Sequence, residues 1–442
     1  MCTDTQARDR LGAWVPYAPF AVFGAFWGAW GASVPAIRDQ AGLTDGQLGT
    51  ALLFIAAGAL PAMPLAGRAV DRWGHRVTAI TLTALGIAGI TVALTAHGLA
   101  ALCAGLTLLG ASSGAADVAI NAAAGAAERA TGRPVITRAH GVFSLAVVAA
   151  SLATGLLNAT GLPVVVPYLM VLLAAGTAST AIVTRARTRT DPTRHDPARA
   201  QASAARHDLA HTAPDPRRHD DARPQAHPAR TSSTAHGRPS LRAHLPLLFV
   251  AGGLGALGFA VENAHQSWSA VYLADAVHAG PALIGAGPAV FALAVALTRF
   301  AISAVKTLPA WIVLTAGAAI SAAGTSLLAL TTYLPPALLG LALAAVGTAV
   351  LFPTVLGLAT ANVPAAARGA ATSVVSTLAY VGFLAGPVYV GYWAQTAGLP
   401  GAMLAVASLA AVLAVLAWPA LRAVVPSSVR HRTAEPTGRP HS

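Results

Sequence analysis

The sequence predicts an all-α membrane protein of twelve transmembrane helices in two six-helix halves, with both termini in the cytoplasm. Three observations predict it. First, hydrophobic side chains make up 55% of the 442 residues and charged ones 10%, with a mean hydropathy of +0.62. That is too apolar for a soluble globular chain of this size. Second, apolar runs of about twenty residues recur twelve times, each long enough to span a bilayer. Third, the basic residues are lopsided. With both ends inside, every Arg and Lys except Arg38 falls on the cytoplasmic side, including Arg8, Arg10, Arg68, Arg72, Arg76, Arg129, Arg133, Arg138, Arg299, Lys306, Arg368 and Arg422.

Residues 1–13 form a polar cytoplasmic tail, and 14–184 carry six runs, near 14–36, 47–66, 77–96, 98–127, 139–160 and 163–184. The first run lacks a cleavage site and is read as a retained helix. The stretch 185–243 is rich in Ala, Arg, His, Asp and Pro and cannot bury a core, so it reads as a disordered cytoplasmic linker. Its histidines, His195, His207, His211, His219, His227 and His236, lack ligand spacing, and no metal site is expected. Residues 244–424 carry the second six runs, near 244–273, 281–301, 308–330, 335–360, 369–394 and 399–424, and 425–442 form a basic cytoplasmic tail.

Two other classes are set aside. The net charge of +12 is confined to loops and tails, where orientation signals belong, so no nucleic-acid partner is expected. The two cysteines, Cys2 and Cys103, support neither a disulfide framework nor a metal cluster.

Between the second and third runs lies Gly67-Arg68-Ala69-Val70-Asp71-Arg72-Trp73-Gly74-His75-Arg76, read as a tight charged turn. It resembles the signature loop of the major facilitator superfamily, G-x-x-x-D-R/K-x-G-R-R/K. Together with the span count, the resemblance covers essentially the whole chain. It implies a latch for the outward-open state, made by Gly67, Asp71, Arg72, Gly74 and Arg76. In that latch Asp71 faces the N-terminus of the eleventh span near Arg368 and Gly369, where a helix end favours a carboxylate by ~0.3–1 kcal/mol. His75 departs from the family pattern. The counterpart in the second half, Thr298-Arg299-Phe300-Ala301 through Lys306, keeps two cations but no acid or glycines, so no symmetric second latch is expected.

At 100° per residue Gly114, Asp117, Asn121, Gly125 and Glu128 share one stripe of the fourth run. An acid on a membrane helix is costly and normally faces a polar interior. Pairing of Asp117 with Arg138 or Arg72 competes with contact to substrate or proton. The run Asp117-Val118-Ala119-Ile120-Asn121, with Gly125, Glu128, Gly132-Arg133-Pro134 and His140-Gly141, is similar to a bacterial branch of facilitator permeases. That branch is distantly similar to the fucose permeases, and many members have no assigned substrate.

The seventh run repeats the pattern with Gly255, Gly258, Glu262, His265, Gln266 and Ser269. Glu262 falls about 25 Å from the cytoplasmic start, beyond the midplane, where a transport-site acid competes with an outer-rim glutamate bonded within its own helix. The resemblance implies that spans one, four, seven and ten line a central cavity, so acids on the fourth and seventh suit a site between the halves. Trp268-Ser269-Ala270-Val271-Tyr272-Leu273 reads as an aromatic belt ending the span.

The fifth run carries His140, Ser144, Ser151, Gly155 and Asn158 on one face, with His140 read as an interfacial histidine, a gate or a proton relay. In the first run Gly24 and Gly28 are packing residues, and Trp27 and Trp30 reach toward the cavity. In the eleventh, Gly382, Gly386, Pro387 and Gly391 mark a bendable helix.

Gly110-Ala111-Ser112-Ser113-Gly114 fits a nucleophile elbow, and Gly253-Leu254-Gly255-Ala256-Leu257-Gly258 a dinucleotide fingerprint. Both lie inside membrane helices and are read as packing glycines. The resulting expectation is a secondary permease, not an enzyme, that moves a small solute by alternating access. Proton coupling is expected to rest on Asp117 and Glu262, with Asn121, His265, Gln266, His140, Trp27 and Trp30 as the other candidates for substrate or proton contact, and no cofactor is needed. The chain is expected to act as a monomer in a bacterial cell membrane, on a polar, sugar-like solute. The competing readings are a membrane-embedded sensor or enzyme and a drug/proton antiporter. The missing Gly-Pro in the fifth run argues against the last.

Overall fold

The computed structural model describes residues 16–190, 244–303 and 308–424, and every element among them is helical. The tails 1–13 and 425–442, Lys306, the linker histidines and residues 191–243 lie outside the described residues. The first half is α1 (Ala18–Ala41), α2 (Asp45–Trp73), α3 (His75–Thr95), α4 (Leu99–Thr131), α5 (Val135–Ala159) and α6 (Val165–Thr190). The second half is α7 (Leu245–Asp275), α8 (Pro281–Ile284) with α9 (Ala286–Ser303), and α10 (Ala310–Ala329). It continues with α11 (Leu334–Thr348), α12 (Leu351–Ala361) and α13 (Arg368–Val424). Among the described residues ten helices are long and apolar enough to cross a membrane, and Val165–Thr180 is a shorter apolar one.

The boundaries follow local chemistry. Thr44 and Gln47 form a capping box that opens α2: the Gln47 N–H donates to Thr44 Oγ1 at 3.3 Å and the Thr44 N–H to Gln47 Oε1 at 3.0 Å. Glu128 accepts from the Ile136 N–H at 3.0 Å, so a carboxylate from α4 caps the start of α5, which has no side-chain cap of its own. In α13 the helical pattern breaks at Gly398, whose φ of 70° suits glycine. The Tyr389 hydroxyl then reaches the Ala405 carbonyl at 3.3 Å, so the second segment returns beside the first.

Two expectations need correction. The charged turn is almost wholly helical: α2 runs through Trp73, α3 starts at His75, and Gly74 alone separates them, with φ 59° and ψ −137°. Residues 185–190, which the sequence places in the linker, continue α6.

Helices pack through small residues that let backbones touch, as membrane helices do without a strong hydrophobic drive between them. Gly24 and Gly28 of α1 lie on the carbonyls of Phe143 and Val147 of α5, where a Cβ has no room. Gly58 and Gly110 sit in the same way on the carbonyls of Thr107 and Ile55, and Gly382 and Gly386 on those of Ala256 and Ala260. The glycines of the nucleophile-elbow match therefore serve packing, and Ser112 donates to the Leu108 carbonyl at 2.9 Å. Large apolar side chains such as Leu65, Ile80, Leu145, Leu173 and Val415 are exposed around the bundle, as suits lipid-facing positions.

The Trp268–Leu273 segment is not a belt. Trp268 and Tyr272 are fully buried. The Trp268 indole N–H donates to the Pro387 carbonyl at 3.2 Å and the Tyr272 hydroxyl to the Leu328 carbonyl at 2.8 Å. A buried indole or phenol needs such a partner, and here both act as anchors between helices.

Candidate functional site

The two halves meet tightly at one end of the bundle and part at the other. At the closed end Arg38, the single basic residue on the wrong side of the charge pattern, ties the halves together. Its guanidinium donates to Asp45 at 3.0 Å, to Asp39 at 2.9 Å, and across the interface to Asp275 at 2.5 Å. Beside it Gly49 of α2 lies against the Pro387 carbonyl (2.9 Å from an ideal Cβ) and Gly391 of α13, and Gly155 of α5 lies against Ala282 and Gly285. At the other end α2 and α13 have separated: a Cβ placed on Gly67 or Gly369 meets nothing within 4 Å. Asp71, Arg72, Gly74 and Arg76 are exposed there. The Arg72 guanidinium lies over the Trp73 ring at 5.6 Å, and among the described residues no hydrogen bond or ion pair joins Asp71 to the start of α13.

Between the closed end and the gap lies a cavity of about 380 Å³. Helices α1, α2, α4, α5, α7, α9 and α13 line it. The tenth span, built from α11 and α12, contributes no lining residue, contrary to the expectation for spans one, four, seven and ten. Trp27, Trp30, Asp117, Glu262 and Gln266 all line it, so the structure brings together five of the candidate residues from three helices.

Asp117 is half-buried on α4, and the Asn121 amide one turn on donates to its Oδ1 at 3.0 Å. Neither Arg138 nor Arg72 pairs with it. Asn121 holds Asp117 without lining the cavity itself. The His140 imidazole lies within electrostatic range of Asp117, edge-on to Phe20 at 5.3 Å, exposed and outside the lining.

Glu262 is buried near the middle of α7, not at an outer rim. Its carboxylate accepts from Arg299 at 3.1 and 3.5 Å and from the Gln266 amide at 3.2 Å. Arg299 is the residue that sequence reasoning misplaced. The sequence places it at the cytoplasmic end of the 281–301 run, in the counterpart of the charged loop, yet it stands within α9 and faces the cavity. Its Nε also donates to the Ala349 carbonyl at 3.3 Å. The signal was present: Pro353 lies four residues after Ala349, has no N–H, and leaves that carbonyl free.

Asn263 is a second missed residue. Its amide donates to the Phe383 carbonyl at 2.5 Å, and its Oδ1 accepts from the Ser267 hydroxyl at 3.2 Å. His265 turns away from the cavity. It is 1% exposed, with Nδ1 2.7 Å from the Val261 carbonyl, Nε2 3.0 Å from Thr325 Oγ1, and its ring stacked on Phe291 at 5.5 Å. Of the polar face expected on α5, Ser151 and Asn158 bond the α1 carbonyls of Gly28 and Ala32 at 3.1 and 3.5 Å, and only Ser144 reaches the cavity. Among the described residues no group of three or more His, Cys, Asp or Glu could hold a metal ion.

A family model described as Major Facilitator Superfamily matches residues 18–305 and 248–441. An uncharacterized MFS-type transporter of Yersinia pestis is 27% identical over 383 residues, covering 85% of this chain and 87% of its own. Among solved structures, a nucleoside transporter aligns at a TM-score of 0.66 with 13% identity, covering 93% of this chain and 99% of that one. A D-xylose-proton symporter aligns at 0.66 with 14% identity over 94% and 97% of the two chains, and a POT family transporter at 0.64 with 15% identity over 94% and 98%. At such identities these structures establish the fold alone. With helical halves around a shared cavity and a family match along nearly all of its length, this chain belongs to the Major Facilitator Superfamily.

Proposed function

We propose that this chain is a secondary active transporter that carries a small solute across a bacterial cell membrane by alternating access, with proton coupling at Asp117. In this reading it crosses the membrane twelve times. The ten long helices become twelve once α13 is divided at Gly398 and α6 is counted. Both termini are cytoplasmic, because Arg68, Arg72, Arg76, Arg129, Arg133, Arg138 and Arg368 lie toward the open end and Arg38 toward the closed one. The conformation is then inward-open, and the unmade contact between Asp71 and α13 is what a latch for the opposite state requires. The chain acts as a monomer without a cofactor.

The observation that carries the reading is the cavity between the halves, closed at one end and open at the other, with Asp117 inside it and no cation among the described residues bonded to it. A carboxylate so placed exchanges a proton as its surroundings change with the rocking of the halves. The test begins with a screen for a solute that raises the thermal stability of the purified protein. Uptake of that solute is then measured in proteoliposomes under an imposed pH gradient. Asp117→Asn should abolish accumulation driven by the gradient while solute exchange at equal pH persists. Undiminished gradient-driven uptake by that variant removes Asp117 from coupling.

A further inference from the structure

The charged and hydrogen-bonding groups that line the cavity are unevenly committed. Arg299, the one cationic side chain among the described lining residues, is engaged by Glu262 and by the Ala349 carbonyl. The Gln266 amide is held by Glu262, and Asn263 is held by Phe383 and Ser267. The Trp27 and Trp30 indoles and the Ser113 and Tyr380 hydroxyls add only neutral polar groups, and an anion needs a free cation, so the cavity is poorly furnished for an anion. Asp117 is different. Its carboxylate has only the neutral Asn121 amide as a hydrogen-bond partner among the described residues, so it faces the cavity with its charge unmatched by any ion pair.

The cavity that holds this acid also has aromatic side chains in its walls, and they come from both halves. Phe23 and Trp27 of α1 lie edge to face at 6.4 Å, and Phe143 of α5 lies 5.7 Å from Phe23. From α13, Tyr380 lies within electrostatic range of Asp117, and Phe383 is 5.8 Å from Tyr380. All five line the cavity. A carboxylate that shares a cavity with several aromatic rings attracts a cation by charge and offers its body the ring faces. Ring contacts contributed from opposite halves also let one bound molecule be held by both.

We propose that the cavity takes a monovalent organic cation with an apolar or aromatic body, its charge seated against the Asp117 carboxylate and its body among Trp27, Phe23, Phe143, Tyr380 and Phe383. This names the substrate class of the transporter proposed above and rests on that reading. It replaces the sugar-like solute expected from sequence.

The test uses the full-length protein with probes of matched size: 2-phenylethylamine in its protonated form, 2-phenylethanol, phenylacetate, and D-xylose. Binding is followed by calorimetry in detergent. The amine should bind about tenfold tighter than the alcohol or better, with phenylacetate and xylose weaker still. Asp117→Asn should erase the gap between amine and alcohol while both still bind. Trp27→Leu, which keeps the acid, should weaken the amine more than the alcohol and serves if Asp117→Asn does not fold. The proposal is overturned if none of the probes binds, if any other probe binds as well as the amine, or if Asp117→Asn keeps the preference. Uptake into proteoliposomes separates the two readings. A cation that binds but is never moved leaves the site standing and removes the transporter, whereas movement of a neutral or anionic probe without the amine leaves the transporter and removes the cation.

Discussion

The Asn263 side chain donates to the Phe383 carbonyl, the acceptor that Pro387, four residues on, leaves without its helical partner. The same device recurs where Arg299 donates to the Ala349 carbonyl freed by Pro353. Two polar residues that line the cavity thus brace two proline breaks in neighbouring helices, so the shape of α13 and of the α11–α12 break depends on groups that a solute would touch.

Truncating Asn263→Ala should cost about 1–3 kcal/mol of stability, since it strands a buried carbonyl. Pro387→Ala gives Phe383 a backbone partner again. The double variant should therefore lose less than the sum of the two single losses in a double-mutant cycle followed by denaturation in detergent. Strict additivity would show that the bond braces nothing.

Glu262→Gln should leave Arg299 in the cavity without its counter-charge. Because the Arg299 side chain is 46% exposed, screening by water keeps the expected loss near ~1 kcal/mol, below the ~3–5 kcal/mol of a fully buried pair. Adding Arg299→Gln should recover part of it, as read by thermal unfolding. A larger loss in the double variant than in Glu262→Gln alone would show that Arg299 serves chiefly through the Ala349 carbonyl.

Glycines at close approaches should separate sharply from glycines in open space. Gly110→Ala drives a methyl into the Ile55 carbonyl and should destabilise by about 1–3 kcal/mol. Gly357→Ala meets nothing within 4 Å and should be neutral or stabilise by up to about 1 kcal/mol through helix propensity. Thermal unfolding of the two variants side by side checks the contrast.

The helices were legible because spanning a bilayer imposes about twenty apolar residues on each crossing, and runs such as 281–301 and 308–330 sit close to α8–α9 and α10. Asp117 and Glu262 were legible because an acid in such a run is costly and must face something polar. The helical stripe could not tell cavity from packing. His265 shares a face with Glu262 in projection yet is directed into α10 through Thr325. Arg299 was misread because charge counting puts an arginine near the end of a run into the loop, whereas its long stem carries the guanidinium back to Glu262. Trp268 and Tyr272 were misread because belt and interhelical anchor call for the same side chains. What separates them is a carbonyl on another helix, and Pro387 and Leu328 lie 119 and 56 residues away in sequence.

In the proposed transport cycle the halves rock about the cavity, and the Arg38–Asp275 pair holds one end shut. Spin labels at His75 and Ser373 report the open end, and labels at His97 and Ala397 the closed end, in a background with Cys2→Ser and Cys103→Ser. Pulsed dipolar spectroscopy in lipid nanodiscs should find the His75–Ser373 distance long and the His97–Ala397 distance short as the main population. Arg38→Ala should raise a second population with both changed in opposite senses. A single distance at each pair, unmoved by Arg38→Ala, would contradict it.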